Sequence, residues 1–400
     1  MGPRRFELRS PAPRAGRITW LPYSPPPLLY IPYSISLVTL FLHFLFLQKK
    51  TWAKRKDISF GNAFFLIMYN EDRKRLKEVK SVRIAANMSV DGLVVELRDC
   101  AFGAGRLAKA VDIYEAMLEE KTTTKFLGIA GAMVPAGMRN VIAEMIRDRY
   151  VDVVVTNGAN LVHDIIEALG DHHYKIVEEA NADSAVDDVW LREHGRNRIY
   201  DVIAHDEAFG RLEEFIRGVF EELAREDESK RYSIKELLKA IGENLSDRDS
   251  ILRSAVECEV PVFCPAIADS MIGLHASLYK QMYPLKVDAF DDMQELIHLF
   301  CEAERTGAII LGGGVPKNFI FQSALIAPAR EDGREGFDYA IQITTNTPED
   351  GSLSGATLEE AKSWGKVGSS AKAVTVYCDA TIALPMIIAA VRDRIDRGKS

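Results

Sequence analysis

The stretch Glu359-Glu360-Ala361-Lys362-Ser363-Trp364-Gly365-Lys366-Val367 carries the residues best suited to covalent chemistry. It opens as a helix, with two acids in the first turn where the helix dipole favours them. Gly365 then loosens the backbone just after a large indole, and Lys366 follows. An amine held against an aromatic wall loses hydration, which disfavours its charged form and frees the lone pair. Such a lysine can attack a carbon–nitrogen or carbon–oxygen double bond and carry the fragment as an imine. For an arbitrary lysine the default is a solvated cation at a helix end, so the rest of the chain has to decide.

Three loops of small residues each follow an apolar run and precede a helix-period segment. They are Gly131-Ala132-Met133-Val134-Pro135-Ala136-Gly137, Thr156-Asn157-Gly158-Ala159-Asn160, and Leu311-Gly312-Gly313-Gly314-Val315-Pro316-Lys317. Glycines let backbone amides approach a phosphate, and Pro316 suits the first turn of a helix. The last of the three is neither a GxGxxG nor a Walker A loop, and a tight structural turn is its competing reading. Together they point to dinucleotide binding, because a doubly wound sheet brings such loops to one rim. Asp379, in Tyr377-Cys378-Asp379-Ala380, and Asp269, beyond the run ending at Pro265, would sit at the same rim. Each could accept hydrogen bonds from a ribose or simply cap the helix that follows. The eight histidines include His172-His173 and, nearby, His163-Asp164, but no HExxH or related spacing occurs, so no metal site is expected. There is no GxSxG elbow either.

The elements that must position these residues recur as one unit, a short apolar run ending in a small residue and then a helix-period segment. Strands are expected at Phe126–Ile129, Val151–Thr156, Val260–Pro265, Ala308–Leu311, Tyr339–Thr345 and Val374–Cys378. Helices are expected over 136–149, 161–169, 316–326 and 380–393. Further upstream the helical pattern restarts after a break at Phe102-Gly103-Ala104-Gly105. Strands without polar interruption, alternating with helices, imply an α/β fold: a doubly wound, mostly parallel sheet with helices on both faces, Rossmann-like in plan. Residues 174–256 are more charged and read as an insertion within the same domain, with amphipathic helices at Leu212–Ala224 and Ile234–Ile241.

Of 400 residues 47% are apolar and 27% charged, the balance of a globular protein with ample core. The net charge of −8 is uneven: ten of the 50 Lys/Arg but only one of the 58 acids fall in residues 1–56. The acidic remainder is a poor match for nucleic acid and suits a basic protein or a polyamine. Five cysteines without CxxC spacing are expected to be mostly small buried thiols in a reducing cytoplasm. Residues 1–70 are expected to be an N-terminal extension, separate from a catalytic domain spanning 85–400. Its apolar stretch 28–47 could be read as a signal anchor. Pro32 and His43 interrupt that stretch, and Met68 or Met88 as the natural start fits better, so membrane attachment is not expected.

From Ser89 onward the chain resembles the deoxyhypusine synthases, particularly the archaeal type. The resemblance rests on four segments in order: Val153–Asp164 (VVVTNGANLVHD), Leu311–Asn318 (LGGGVPKN), Gly351–Lys366 (GSLSGATLEEAKSWGK) and Val374–Thr381 (VTVYCDAT). It implies an NAD-dependent transferase of hypusine biosynthesis. Spermidine is oxidised at its secondary amine, its aminobutyl group moves as an imine to an enzyme lysine, and it passes to one lysine of the translation factor 5A precursor. The matching nucleophile is Lys366. Trp364 would wall the polyamine and Glu360 would pair with an ammonium, with Gly351, Ser352 and His163 also at the substrate. Family cofactor positions match Gly131, Ala132, Met133, Val134, Pro135, Asn157, Gly158, Ala159, Asp269, Gly314, Thr345, Asn346, Asp379 and Ala380. A cytoplasmic homotetramer, with active sites at a dimer interface, is implied in the same way.

This sequence departs from the eukaryotic pattern, in which several acids and a histidine line the polyamine tunnel. The corresponding positions here read as His163, Leu274, Leu353 and Phe319. Each lost carboxylate removes a partner for a buried ammonium. Reaction type is therefore better specified than the donor, and agmatine or putrescine are alternatives to spermidine. Two further readings keep the same residues: aminobutyl transfer to a small amine, as in homospermidine synthesis, and a catalytically silent regulatory paralogue.

Overall fold

A computed structural model describes residues 76–176, 187–227, 229–326 and 335–398. The expectations for residues 1–70, including the stretch 28–47, lie outside the described residues. The chain enters through α1 (Val90–Leu97), where Ser89 Oγ accepts from Gly92 N, and α2 (Phe102–Glu119). Strand β1 (Thr123–Ile129) and a wide turn at Val134–Met138 lead to α3 (Arg139–Arg147). After β2 (Val153–Thr156) and α4 (Gly158–Ala168) comes the insertion. It holds β3 (Tyr174–Lys175), α5 (Asp188–Glu193), β4 (Arg196–Ile199), β5 (Val202–His205) and α6 (Asp206–Glu226). Strands β3, β5 and β4 form a small antiparallel sheet.

Strand β6 (Arg231–Ser233) then precedes α7 (Ile234–Glu243) and α8 (Ile251–Glu257), and β7 (Val262–Phe263) precedes α9 (Met271–Tyr279). Strand β8 (Lys286–Asp288) pairs parallel to β6 and precedes α10 (Phe290–Glu302). The chain finishes through β9 (Arg305–Leu311), α11 (Gly314–Ile326), β10 (Phe337–Thr344), α12 (Leu358–Ser363), β11 (Val367–Tyr377) and α13 (Ala380–Gly398).

The main sheet has six strands in the order β11-β10-β9-β1-β2-β7, every neighbour parallel. The middle stretches of its central strands are largely apolar because both faces are covered. Leu127, Ile129, Ile309 and Ile341 join the core on one face, with α2 and α13. Phe126, Ala308, Ile310 and Ala340 join the other, under α10 and α11, where Phe126, Phe300 and Phe321 surround Phe337 at centroid distances of 5.0–5.4 Å. From β1 the chain adds β2 and β7 on one side, then crosses back to add β9 on the other. The loops after β1 and β9 therefore flank the reversal, the place where such sheets take ligands.

Several boundaries differ from the sequence expectation, three of them for a visible local reason. Strand β11 starts at Val367 rather than Val374, because the register jumps from Phe337↔Val367 to Tyr339↔Lys372 and the polar residues 368–371 bulge out. Gly103 and Gly105 open α2 rather than break it; a Cβ on Gly105 would sit 2.2 Å from the Cys100 carbonyl oxygen. After β1 the helix begins at Arg139, not 136, since Gly137 at φ 85° cannot belong to it. The cysteines are all free, but only Cys264 is fully buried, and Cys301 is exposed. Among the described residues no helix is long and apolar enough to cross a membrane.

Candidate active site

The rim begins with backbone bonds that tie neighbouring strand ends together. Ala130 N donates to Leu311 O at 3.0 Å, and Gly312 N donates to Ile343 O at 2.8 Å. Gly131, Gly312 and Gly314 have φ of 78°, 71° and 54°, a region side chains rarely adopt. A Cβ on Gly131 would meet nothing within 4 Å, so its face is open. Asn157 caps α4 through Oδ1, which accepts from Asn160 N at 3.0 Å, while its Nδ2 donates to Gly131 O at 3.1 Å. Asn160 Nδ2 donates to the same carbonyl at 3.0 Å, and its Oδ1 accepts from Val134 N at 3.2 Å. Gly158 packs so closely on Ser270 that a Cβ would lie 2.4 Å from the serine Cβ, which brings the Asp269 turn alongside.

Two of the expected rim positions differ in detail. Met133, Val134 and Pro135 are buried, so only backbone could face a ligand there. Asp379 is exposed and caps its own helix, one oxygen accepting from Thr381 N at 2.7 Å and Thr381 Oγ1 at 2.5 Å. Asn346 is joined to Gly351-Ser352 by Asp350, a residue the sequence reading passed over. Asp350 accepts from Ser352 N and Oγ, both at 2.7 Å, and from Asn346 Nδ2. Those donors, the Ser352 amide first, hold its carboxyl below the usual range. The signal was available, since Asp followed two residues later by Ser after Pro348-Glu349 is an Asx turn. The open Gly131 face, the glycines after β9 and the exposed carboxylates of Asp269, Asp350 and Asp379 fit a dinucleotide with its riboses.

The candidate nucleophile lies elsewhere along the strands. Thr357 Oγ1 accepts from Glu360 N at 3.0 Å and starts α12. Gly365, at φ 70°, ends it, with Lys366 N donating to Ala361 O at 3.0 Å. Phe337 N donates to Lys366 O at 3.0 Å, so Lys366 stands at the amino end of β11, opposite the glycine rim. Its side chain reaches back, and Nζ donates to Asn318 Oδ1 at 3.2 Å. Asn318 is four residues into α11, about 6 Å from the rim at 1.5 Å rise per residue. The Trp364 ring centroid is 5.6 Å from Nζ, as the sequence suggested. However, Trp364 is 61% exposed and Lys366 only half-buried, so one chain alone leaves this aromatic wall open to solvent.

Beside Lys366 sits a second amine that sequence reasoning missed. Lys317 is 4% exposed, and its Nζ donates to Gln342 Oε1 and Leu353 O, both at 3.0 Å, and to Ala356 O at 2.5 Å. All three ammonium donors meet neutral oxygens. Gln342, fully buried, donates in turn to Gly312 O and Ser354 O at 3.0 and 2.8 Å. This pair fastens the glycine loop, β10 and residues 351–357 together. Burial pulls the Lys317 amine down to about 8, against Glu360, while Lys366 adds to the lowering. A glutamine inside an apolar strand was the available clue, because buried amides need partners.

The remaining expected positions separate. Glu360, Leu274 and Leu353 are exposed. Phe319 is buried against Phe263, and its neighbour Asn318 is the residue that meets Lys366. His163 lies on α4 within a hydrogen-bonded chain through His173 to Glu167. Asp164 is wholly structural, accepting from Arg139 Nε, Ser250 Oγ and the amides of Ile251 and Leu252 at the start of α8.

Residues 92–391 match the family model described as deoxyhypusine synthase. A Methanosarcina thermophila protein described as "Probable deoxyhypusine synthase" is 56% identical over 319 residues, 80% of this chain and 96% of that protein. An Archaeoglobus fulgidus protein, "Probable deoxyhypusine synthase 1", is 46% identical over 79% of this chain and 98% of its own length. A crystal structure from Entamoeba histolytica, provisionally assigned as a deoxyhypusine synthase, superposes with a TM-score of 0.53 at 18% identity, covering 78% of this chain and 96% of that one.

Proposed function

Because the chain belongs to the deoxyhypusine synthase family, we propose that it transfers the 4-aminobutyl group of spermidine, through an imine on Lys366 whose formation breaks the secondary C–N bond and releases 1,3-diaminopropane, to one lysine of the translation factor 5A precursor. NAD, held by the loops 131–135, 157–159 and 312–314 with Asp269, Thr345-Asn346, Asp350 and Asp379-Ala380, would supply the acceptor and later the donor of hydride. Lys366 provides the nucleophilic amine, and Asn318 Oδ1 fixes its direction. Trp364 walls the polyamine stem and Glu360 meets an ammonium. Lys317, with every donor engaged, holds the loop that carries Ser352 and Leu353.

The observation that carries this reading is the tether of Lys366 Nζ to Asn318 beneath an indole, beside a buried amine whose donors are engaged by neutral oxygens. The exposed Trp364, Leu274 and Leu353 support a second subunit closing the site; the homotetramer and the cytoplasmic setting come with the family reading. Leu274 and Leu353, apolar where carboxylates could pair with ammonium groups, favour including agmatine and putrescine among the donors tested. Borohydride trapping with NAD and labelled spermidine should place the label on Lys366, and a label elsewhere would refute the assignment. With the 5A precursor added, the label should reach a protein lysine. Label found only in a free amine would favour homospermidine-type transfer.

A further inference from the structure

His163 and His172-His173 drew attention in the sequence, and the function above leaves His173 without a task. His173 returns onto α4. Its Nε2 lies 2.9 Å from His163 Nδ1, and its Nδ1 lies 2.7 Å from Glu167 Oε1. The rings meet edge to face, with centroids 4.8 Å apart. The His173 side chain is 5% exposed and His163 is 8% exposed. One turn before His163 on the same helix, Asn160 holds Gly131 and Val134 at the rim. Residues three apart are neighbours on a helix surface, so the three-residue chain runs inward from the cofactor loops.

The protons in this chain can be assigned by elimination. A carboxylate only accepts, so His173 Nδ1 carries the proton shared with Glu167. In neutral His173, Nε2 is then bare, and the proton between the two rings belongs to His163 Nδ1. That leaves His163 Nε2 with a lone pair. Burial, with His173 adding to it, pulls the His163 imidazole down to about 4, so the ring is uncharged at neutral pH. Around the chain, the Arg139 guanidinium is 3.8 Å from the other Glu167 oxygen, and Asp164 is fully engaged by Arg139 and α8. Phe209 packs against the His163 ring edge to face, with centroids 6.3 Å apart.

We propose that Glu167 and His173 are positioning residues that lock His163 with Nε2 unprotonated, so that it meets its ligand as an uncharged hydrogen-bond acceptor. The ligand group it takes is an N–H or O–H donor. Resting on the function proposed above, that donor is either an ammonium of the polyamine or a ribose hydroxyl of the dinucleotide. Where a carboxylate would attract any cation, a fixed imidazole lone pair selects by direction. A proton added at His173 Nε2 would leave the bond to Glu167 as it is, reverse the bond between the two rings, and turn His163 Nε2 into a donor.

The test is the histidine tautomer itself. The full chain labelled with 15N-histidine gives long-range nitrogen–proton spectra that distinguish the two neutral tautomers, and His163→Gln assigns the signal. Wild type should show Nε2 bare, and Glu167→Gln, whose amide can either donate or accept, should show a mixture. The KM for the ligand concerned should rise about 3- to 10-fold in that variant, the usual worth of one hydrogen bond. Separate additions of spermidine and of NAD identify the donor by which one shifts the His163 Nε2 resonance. Nε2 protonated in wild type, an unchanged tautomer in Glu167→Gln, or no shift with either addition overturns the proposal. Should Glu167→Gln fail to fold, His173→Phe removes the middle ring and the same spectrum decides. The spectrum needs no turnover, so failure of imine trapping on Lys366 would count against the function and not against the tautomer.

Discussion

Replacing Lys317 with methionine separates what its charge costs from what its hydrogen bonds contribute. The amine is 4% exposed, and burial lowers its pKa from 10.5 to about 8. Between those values the unfolded chain binds more protons than the folded one, so stability rises with pH. At about 1.4 kcal/mol per unit, this one group adds up to about 3 kcal/mol between pH 8 and 10.5. Below pH 8 the same amount is a standing penalty, which methionine removes. Methionine also leaves Gln342 Oε1 and the carbonyls of Leu353 and Ala356 without their donor. Each costs about 1–3 kcal/mol when buried and unpaired. Lys317→Met is therefore expected to lose a few kcal/mol at pH 7, and its deficit relative to wild type should widen by about 3 kcal/mol as pH rises to 10.5. Urea unfolding of both proteins at several pH values reads this directly. A deficit that is constant, or that shrinks with pH, would show that Lys317 is not a buried cation. Transfer should fall at least about tenfold, because residues 351–357 lose their anchor.

Lys366→Ala should abolish both trapping and transfer while leaving urea unfolding within about 1 kcal/mol of wild type, as one half-buried side chain contributes little. Lys366→Arg should fail too, since guanidinium stays protonated; turnover by it would exclude a covalent lysine. Asp164→Ala should cost about 3–5 kcal/mol in urea unfolding, because Arg139 and the start of α8 both lose a buried anion. Gly313→Ala would place a Cβ 2.5 Å from Ser354 Cα, a backbone atom that cannot rotate aside. A loss of about 1–3 kcal/mol and at least tenfold weaker NAD binding are expected, measured by unfolding and by fluorescence titration.

Much of this architecture is legible in the chain because it is written locally. Short apolar runs ending in a small residue mark five of the six main strands closely, and the three small-residue loops do come to one rim. What stays hidden depends on partners far away in sequence. Nothing near Lys317 announces that Gln342, Leu353 and Ala356 will surround it. Nothing near Asp164 shows that Arg139 and Ser250 will take its carboxylate. The first half of β11 escapes notice because its bulge is filled with glycine and serine, so no apolar run exists to count. The indole meets the Lys366 amine but does not enclose it, a difference that residue order alone does not convey.

The route from β10 to β11 has almost no slack. Ser354 is held by Gln342, Leu353 and Ala356 by Lys317, and Lys366 by Phe337, so both ends of residues 354–366 are pinned to the same sheet. Residue number, and not only residue type, is then a determinant of reactivity here. One residue inserted between Ala356 and Lys366 would turn the short helix by about 100° and swing the amine away from Asn318. Tags or grafted epitopes belong outside this interval, and natural variation in chain length should avoid it for the same reason.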